Sequence, residues 1–226
     1  MNGHGVFAAR CALVLALSLS AVLLLAPTAS AAPLPPSTVI FADPQPDPVG
    51  GLVIAGGVPV PFVAATFSGL LTSTVISGDL SNPFGGLTFT YQISNDPGSP
   101  GEIDRLTLNG FFGFLADGSF QTPAVGLPPT LNDRDAVGDV IGFTFLGAPL
   151  GAGTLMPGMT SAVLVVQTDA PYYVLSTAAI IDGSVTTAPI FAPSLIVPEP
   201  ATISLAALGL GALALVARRR ARRHRS

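Results

Sequence analysis

Leu87-Thr88-Phe89-Thr90-Tyr91-Gln92-Ile93 alternates apolar and polar side chains without a break. In an extended chain successive side chains point to opposite faces, so Leu87, Phe89, Tyr91 and Ile93 share one face and Thr88, Thr90 and Gln92 the other. That is the pattern of a half-buried β-strand. Around it, from Gly50 onward, short apolar runs alternate with clusters of Gly, Pro, Asn and Asp. No stretch before Ala201 sustains helical periodicity, which is the texture of an all-β sandwich or barrel.

Strands are expected over 61–67, 70–77, 87–94, 103–109, 110–115, 140–145, 161–168 and 173–181, with a further one at 184–187. Val163-Leu164-Val165-Val166 is apolar on both faces and is expected at the centre of a sheet. Asn95-Asp96-Pro97-Gly98 and Asp182-Gly183 are turn chemistry. The expectation is an all-β fold, a single antiparallel β-sandwich of about eight or nine strands over 50–196. Residues 32–49 are dense in proline, which blocks helix, and read as an extended, solvated lead-in.

The two ends have a different character. Arg10 precedes an apolar run over 11–26, followed by Pro27 and the small residues of Ala29-Ser30-Ala31. These are the marks of a secretory signal peptide over 1–31, a signal helix cleaved after Ala31 with Ala29 and Ala31 at the site. A first membrane span is the alternative, and Pro27 argues against it. Cys11, the chain's one cysteine, falls within that peptide.

At the other end, Pro198-Glu199-Pro200 is followed by the uncharged run ATISLAALGLGALALVA over 201–217. As a transmembrane helix it would be about 25 Å long, the short end of what crosses a bilayer core. Arg218, Arg219, Arg220, Arg222, Arg223 and Arg225 then supply six of the nine basic residues. Positive flanks stay cytoplasmic, so the body of the protein is expected outside the membrane on a single-pass C-terminal anchor.

Between residues 32 and 200 lie all thirteen acidic residues against Arg105 and Arg134, a net charge of −11. Such a body does not bind nucleic acid, and it disfavours anionic lipid. The same region has no Cys, His, Lys or Trp. No disulfide can hold it, and the usual ligands for zinc, copper and haem are missing. Imidazole-assisted and Schiff-base catalysis are excluded as well. The expectation is a protein that is not an enzyme and carries no cofactor.

Two acidic clusters invite a closer look. Asp133, Asp135 and Asp139 crowd one short stretch, and hard cations such as calcium take several such oxygens. Val137 stands where an EF-hand loop needs a ligand, and no Glu closes the loop, so a solvated acidic turn is the plainer reading. Glu102 and Asp104 would share one face of an extended segment, as paired glycosidase carboxylates do. A charged hairpin is favoured over a hydrolase, and Arg105 beside them is expected to bind an aspartate elsewhere in the domain. Phe111-Phe112-Gly113-Phe114 is expected to fill core, with Phe112 and Phe114 on one face if it is a strand.

The C-terminal combination of Pro198-Glu199-Pro200, apolar span and arginine cluster resembles the PEP-CTERM sorting module over 197–226. That resemblance implies export through the general secretion machinery, signal peptidase processing, and recognition by an exosortase-like membrane enzyme acting at the Pro-Glu-Pro motif. The lipid bilayer is the partner expected of the apolar span, and extracellular polysaccharide is a further candidate partner of the body. The blocks 87–108 and 133–145, the second followed by 155–161, are similar to exported domains found upstream of such tails, which resemble single β-sandwiches without an assigned activity. The implied role is a structural or interaction component of the cell surface or extracellular matrix; a calcium- or polysaccharide-binding module is the alternative.

Overall fold

The structure is a computed structural model that describes residues 33–148 and 150–196. The expected signal peptide, the Pro-Glu-Pro motif, the apolar run and the arginine cluster lie outside the described residues. No helix among the described residues is long and apolar enough to cross a membrane.

The fold is all-β. In chain order the strands are β1 (Thr38–Phe41), β2 (Asp43–Gln45), β3 (Leu52–Gly56), β4 (Val60–Val63), β5 (Ser68–Ser77), β6 (Thr88–Asn95), β7 (Arg105–Asn109), β8 (Ala116–Gln121), β9 (Leu131–Arg134), β10 (Val140–Thr144), β11 (Leu164–Thr168), β12 (Tyr172–Asp182) and β13 (Ser184–Ser194). Six form a sheet ordered β1-β9-β10-β7-β12-β13. The other seven form a sheet ordered β2-β8-β11-β6-β5-β3, with β4 also paired to β5. Thirteen strands replace the expected eight or nine. The arrangement is mixed rather than purely antiparallel, because β2 runs parallel to β8.

One hydrophobic cluster joins the inner faces of the two sheets. Leu71, Phe89, Tyr91, Ile93, Leu164 and Val166 come from the seven-stranded sheet; Leu106, Leu108, Ile141, Phe143, Ala178 and Ile180 come from the six-stranded one. Burying each large side chain stabilises by roughly 1.5–3 kcal/mol, and with no disulfide this packing is the main source of cohesion. Tyr91 bridges the layers: its buried hydroxyl donates to the Phe191 carbonyl at 2.7 Å. Ser73 does the same in reverse, its hydroxyl accepting from the Phe191 N–H at 3.0 Å.

β6 puts Phe89, Tyr91 and Ile93 inward as the alternation requires. Its other face is not simply solvated. Thr88 is fully buried and Thr90 nearly so; the Thr88 hydroxyl donates to Asp79 and accepts from the Asn82 amide. β11, buried at every position, lies between β8 and β6, the central place expected of its apolar run.

Two further expectations are corrected. The proline-rich lead-in is extended, but it is part of the fold and only partly solvated: β1 joins the six-stranded sheet, β2 the seven-stranded one, and Leu34 is fully buried, while Val39 and Phe41 stay exposed. Pro44 is tolerated because β2 is an edge strand, where a missing N–H costs no ladder bond. Residues 110–115 are not a strand. Gly110 and Gly113 adopt positive φ, turning the chain so that Phe111 is buried edge-on against Phe89 while Phe112 is 69 % exposed. The strand begins later, at Ala116.

Candidate functional site

The Asp133–Asp139 stretch does not gather its carboxylates. Asp133 projects from β9 and takes a two-pronged bond from Arg105, Nη1 to Oδ1 at 2.6 Å and Nη2 to Oδ2 at 2.7 Å. This is the aspartate expected for Arg105, and the pair spans β10 through Gly142, which lies opposite Asp133 and Thr107. Arg105 also donates to Thr144. Asp135 Oδ1 accepts the Asp139 and Val140 N–H groups and closes the β9–β10 turn. Asp139 Oδ1 accepts the Phe112 N–H. Each of Asp133, Asp135 and Asp139 is thus tied to a different neighbour.

Arg134 is buried where an acidic loop would have left it in solvent. The pleat explains this: Asp133 faces outward on β9, so Arg134 faces inward. Its guanidinium donates to the carbonyls of Leu34, Phe111, Phe114 and Gly138, with no carboxylate in hydrogen-bond contact. Desolvation pulls its pKa down from the ordinary value, against the opposing pull of Asp135, Asp139 and Asp169.

The carboxylates that do converge are Glu102, Asp104 and Asp182, each offering an oxygen within 4.8 Å of the others. Glu102 and Asp104 flank Ile103, whose backbone bridges Leu155. Asp182 arrives from the end of β12, which pairs with β7 in a register placing Ile181 opposite Arg105. Thr154 donates its hydroxyl to Glu102. Asp104 Oδ1 is buried and accepts no hydrogen bond. Burial first, and then the like charges of Asp182 and Glu102, raise the Asp104 pKa. Oxygens at this mutual distance fit around one hard cation with bonds of about 2.4 Å. The same-face reading of Glu102 and Asp104 was available from sequence; Asp182 was not, because only strand pairing brings it there.

A second acidic region, unmarked by any motif, lies on the outer face of the seven-stranded sheet. Asp79 is buried there, accepting from Val49 N, Ser81 N, Ser81 Oγ, Thr88 Oγ1 and Gln167 Nε2. Burial alone pushes its pKa up, but these donors outweigh it and hold the carboxyl below the ordinary value. Asp47, also buried, is the opposite case. Desolvation raises it, a bond to Ser81 opposes the rise, and the charges of Asp79 and Asp43 add to it.

An apolar groove of about 310 Å³ lies between the β3–β4 turn and β13, lined by Gly56, Val58, Val60, Leu175, Pro189 and Phe191 among others. It has no titratable group in its wall.

Outside the described residues, 197–223 match the PEP-CTERM protein-sorting motif. No curated protein and no solved structure matches the chain. The motif implies an exported protein that an exosortase processes and that is anchored at the cell envelope. On the strength of residues 197–223, which contain Pro198, Glu199 and Pro200, this chain carries a PEP-CTERM protein-sorting motif at its C-terminal end.

Proposed function

We propose that the β-domain is a non-catalytic structural or interaction component of the cell surface or extracellular matrix. The signal peptide delivers it, the apolar run over 201–217 tethers it before processing, and the arginine cluster holds the tail on the cytoplasmic side. The observation that carries this reading is the sorting motif at 197–223 behind an acidic region that has no His, Cys or Lys. The absence of those residues removes the commonest nucleophiles and proton shuttles, which supports a role in surface contacts. The test is fractionation of producing cells with intact-mass measurement of each fraction. A species cut after Ala31 and again near Pro198-Glu199-Pro200, recovered from the envelope or medium, is the expected result. Unprocessed chain in the cytosol overturns it.

One observation favours a second reading, a cation-binding module. Glu102, Asp104 and Asp182 converge, and one fully buried oxygen of Asp104 has no hydrogen-bond partner. Under this reading millimolar calcium raises the melting temperature, and Asp104→Asn abolishes the rise. Equal melting curves with calcium and with chelator remove it.

A further inference from the structure

Residues 48–65 run PVGGLVIAGGVPVPFVAA without one polar side chain. They supply β3 and β4 at the rim of the seven-stranded sheet. β3 pairs with β5 along one edge, and its other edge has no partner strand among the described residues. Leu52, Val53 and Ile54 are 68, 57 and 41 % exposed, so the strand is apolar and bare on both faces. Sheet edges are ordinarily blunted by a charge, a lysine or a proline, and β3 itself contains none. Its one irregularity is a bulge between Val53 and Ala55. Beyond the strand the apolar surface continues into the groove under Val58 and Leu175.

We propose that the free edge of β3 is a self-association surface: it pairs antiparallel with β3 of a second copy about a two-fold axis, joining two seven-stranded sheets. The occupant follows from three features. An unpaired edge offers backbone donors and acceptors at strand spacing, which another extended strand satisfies and a lipid surface does not. Charge then narrows the choice. A body with a net charge of −11 repels its own copy over most of its surface, but 48–65 contains no acid, so two copies meet there with no like charges opposed. Finally, a two-fold sets the same short strand against itself reversed, so apolar residues face apolar residues in any register.

The remaining sheet edges are less suited. β2 contains Asp43, and β1 is paired with β9 so that Val39 sits beside Asp133. On β13, Phe191 is engaged at both its N–H and its carbonyl by Ser73 and Tyr91. The proposal rests on the surface-component reading and names its partner. Export and processing do not depend on it, so its failure and the failure of that reading are separable.

The test uses the full chain with Cys11→Ser, which leaves no native cysteine. Leu52→Cys, Val53→Cys and Ile54→Cys are introduced singly, and producing cells are treated with a thiol oxidant. At least one of the three should give a species of twice the monomer mass, while Val137→Cys, 62 % exposed on the β9–β10 turn, stays monomeric. Adding Leu52→Glu to the best cross-linking chain should lower the doubled species at least about tenfold, since it sets two charges against each other at the edge. Cross-linking no greater than at Val137, or unaffected by Leu52→Glu, overturns the proposal. Light scattering of the cysteine-free full chain in mild detergent gives a second measurement. A mass of two chains that falls to one with Leu52→Glu supports the closed pair. A mass of one chain without that substitution, of two with it, or of three or more chains overturns it.

Discussion

Arg134 shows how far one side chain can be from what its neighbours suggest. It sits in an acidic stretch, yet it binds four backbone carbonyls from three separate segments. Replacing it strands those acceptors where little water reaches. Each buried polar group left unpaired costs about 1–3 kcal/mol. Arg134→Met should therefore lower stability by about 3 kcal/mol or more, read as a fall in the urea midpoint. Asp79 and Asp47 set a pH dependence of opposite signs. Asp79 is held below the ordinary value, so its contribution is present above the unfolded carboxyl range and is lost as pH falls through its folded value. Asp47 is raised, so its contribution is present at low pH and is lost as pH rises through its folded value. In urea midpoints taken between about pH 3 and pH 7, Asp79→Asn should flatten the acid-side loss. Asp47→Asn should remove the decline on the rising side.

At the scale of the element, two strands were legible from side chains that alternate or are uniformly apolar, whereas β3, apolar from Leu52 to Ala55, was not among those expected. β6 and β11 were readable for that reason. β8 was not: Ala116-Asp117-Gly118-Ser119 resembles a turn, and it is a strand because β11 and β2 pair with it on either side. β9 was hidden for a related reason. Its inward residues are Asn132 and Arg134, both polar and both buried. Asn132 is accommodated because its amide donates to the Gly118 carbonyl at 2.7 Å, a partner that only the fold supplies. The candidate site divides along the same line. Glu102 and Asp104 are two apart and share a face in any extended chain, whereas Asp182 depends on the β7–β12 register. Gly142 is the element-level prediction. A Cβ there would collide with the Arg105 guanidinium and the Asp133 carboxylate. Gly142→Ala should destabilise by about 1–3 kcal/mol through overpacking. In a double-mutant cycle its cost should shrink once Arg105 is already Ala, because the obstructed group is gone.

At the scale of the whole molecule, the address and the body are separate pieces of information. Residues 197–223 carry the sorting motif, and the β-domain has a core of its own. Replacing Pro198, Glu199 and Pro200 with alanine should leave export intact and stop the second cut. Intact mass should then rise by the mass of the retained tail, while the β-domain keeps the same unfolding midpoint. An unchanged mass would show that processing does not use this motif.

β13 is the last strand among the described residues, so in a cell that holds the protein by its tail, a pull reaches this strand at Ser194. Tension there would peel β13 from β12 starting at Tyr172, the end away from the Gly183 turn, parting the ladder one rung at a time. The first obstacle is Phe191, which Ser73 and Tyr91 fasten to the opposite layer. Those two hydroxyls act as a strain relief on the tether: Tyr91→Phe with Ser73→Ala should lower the force at which a surface-held molecule begins to open.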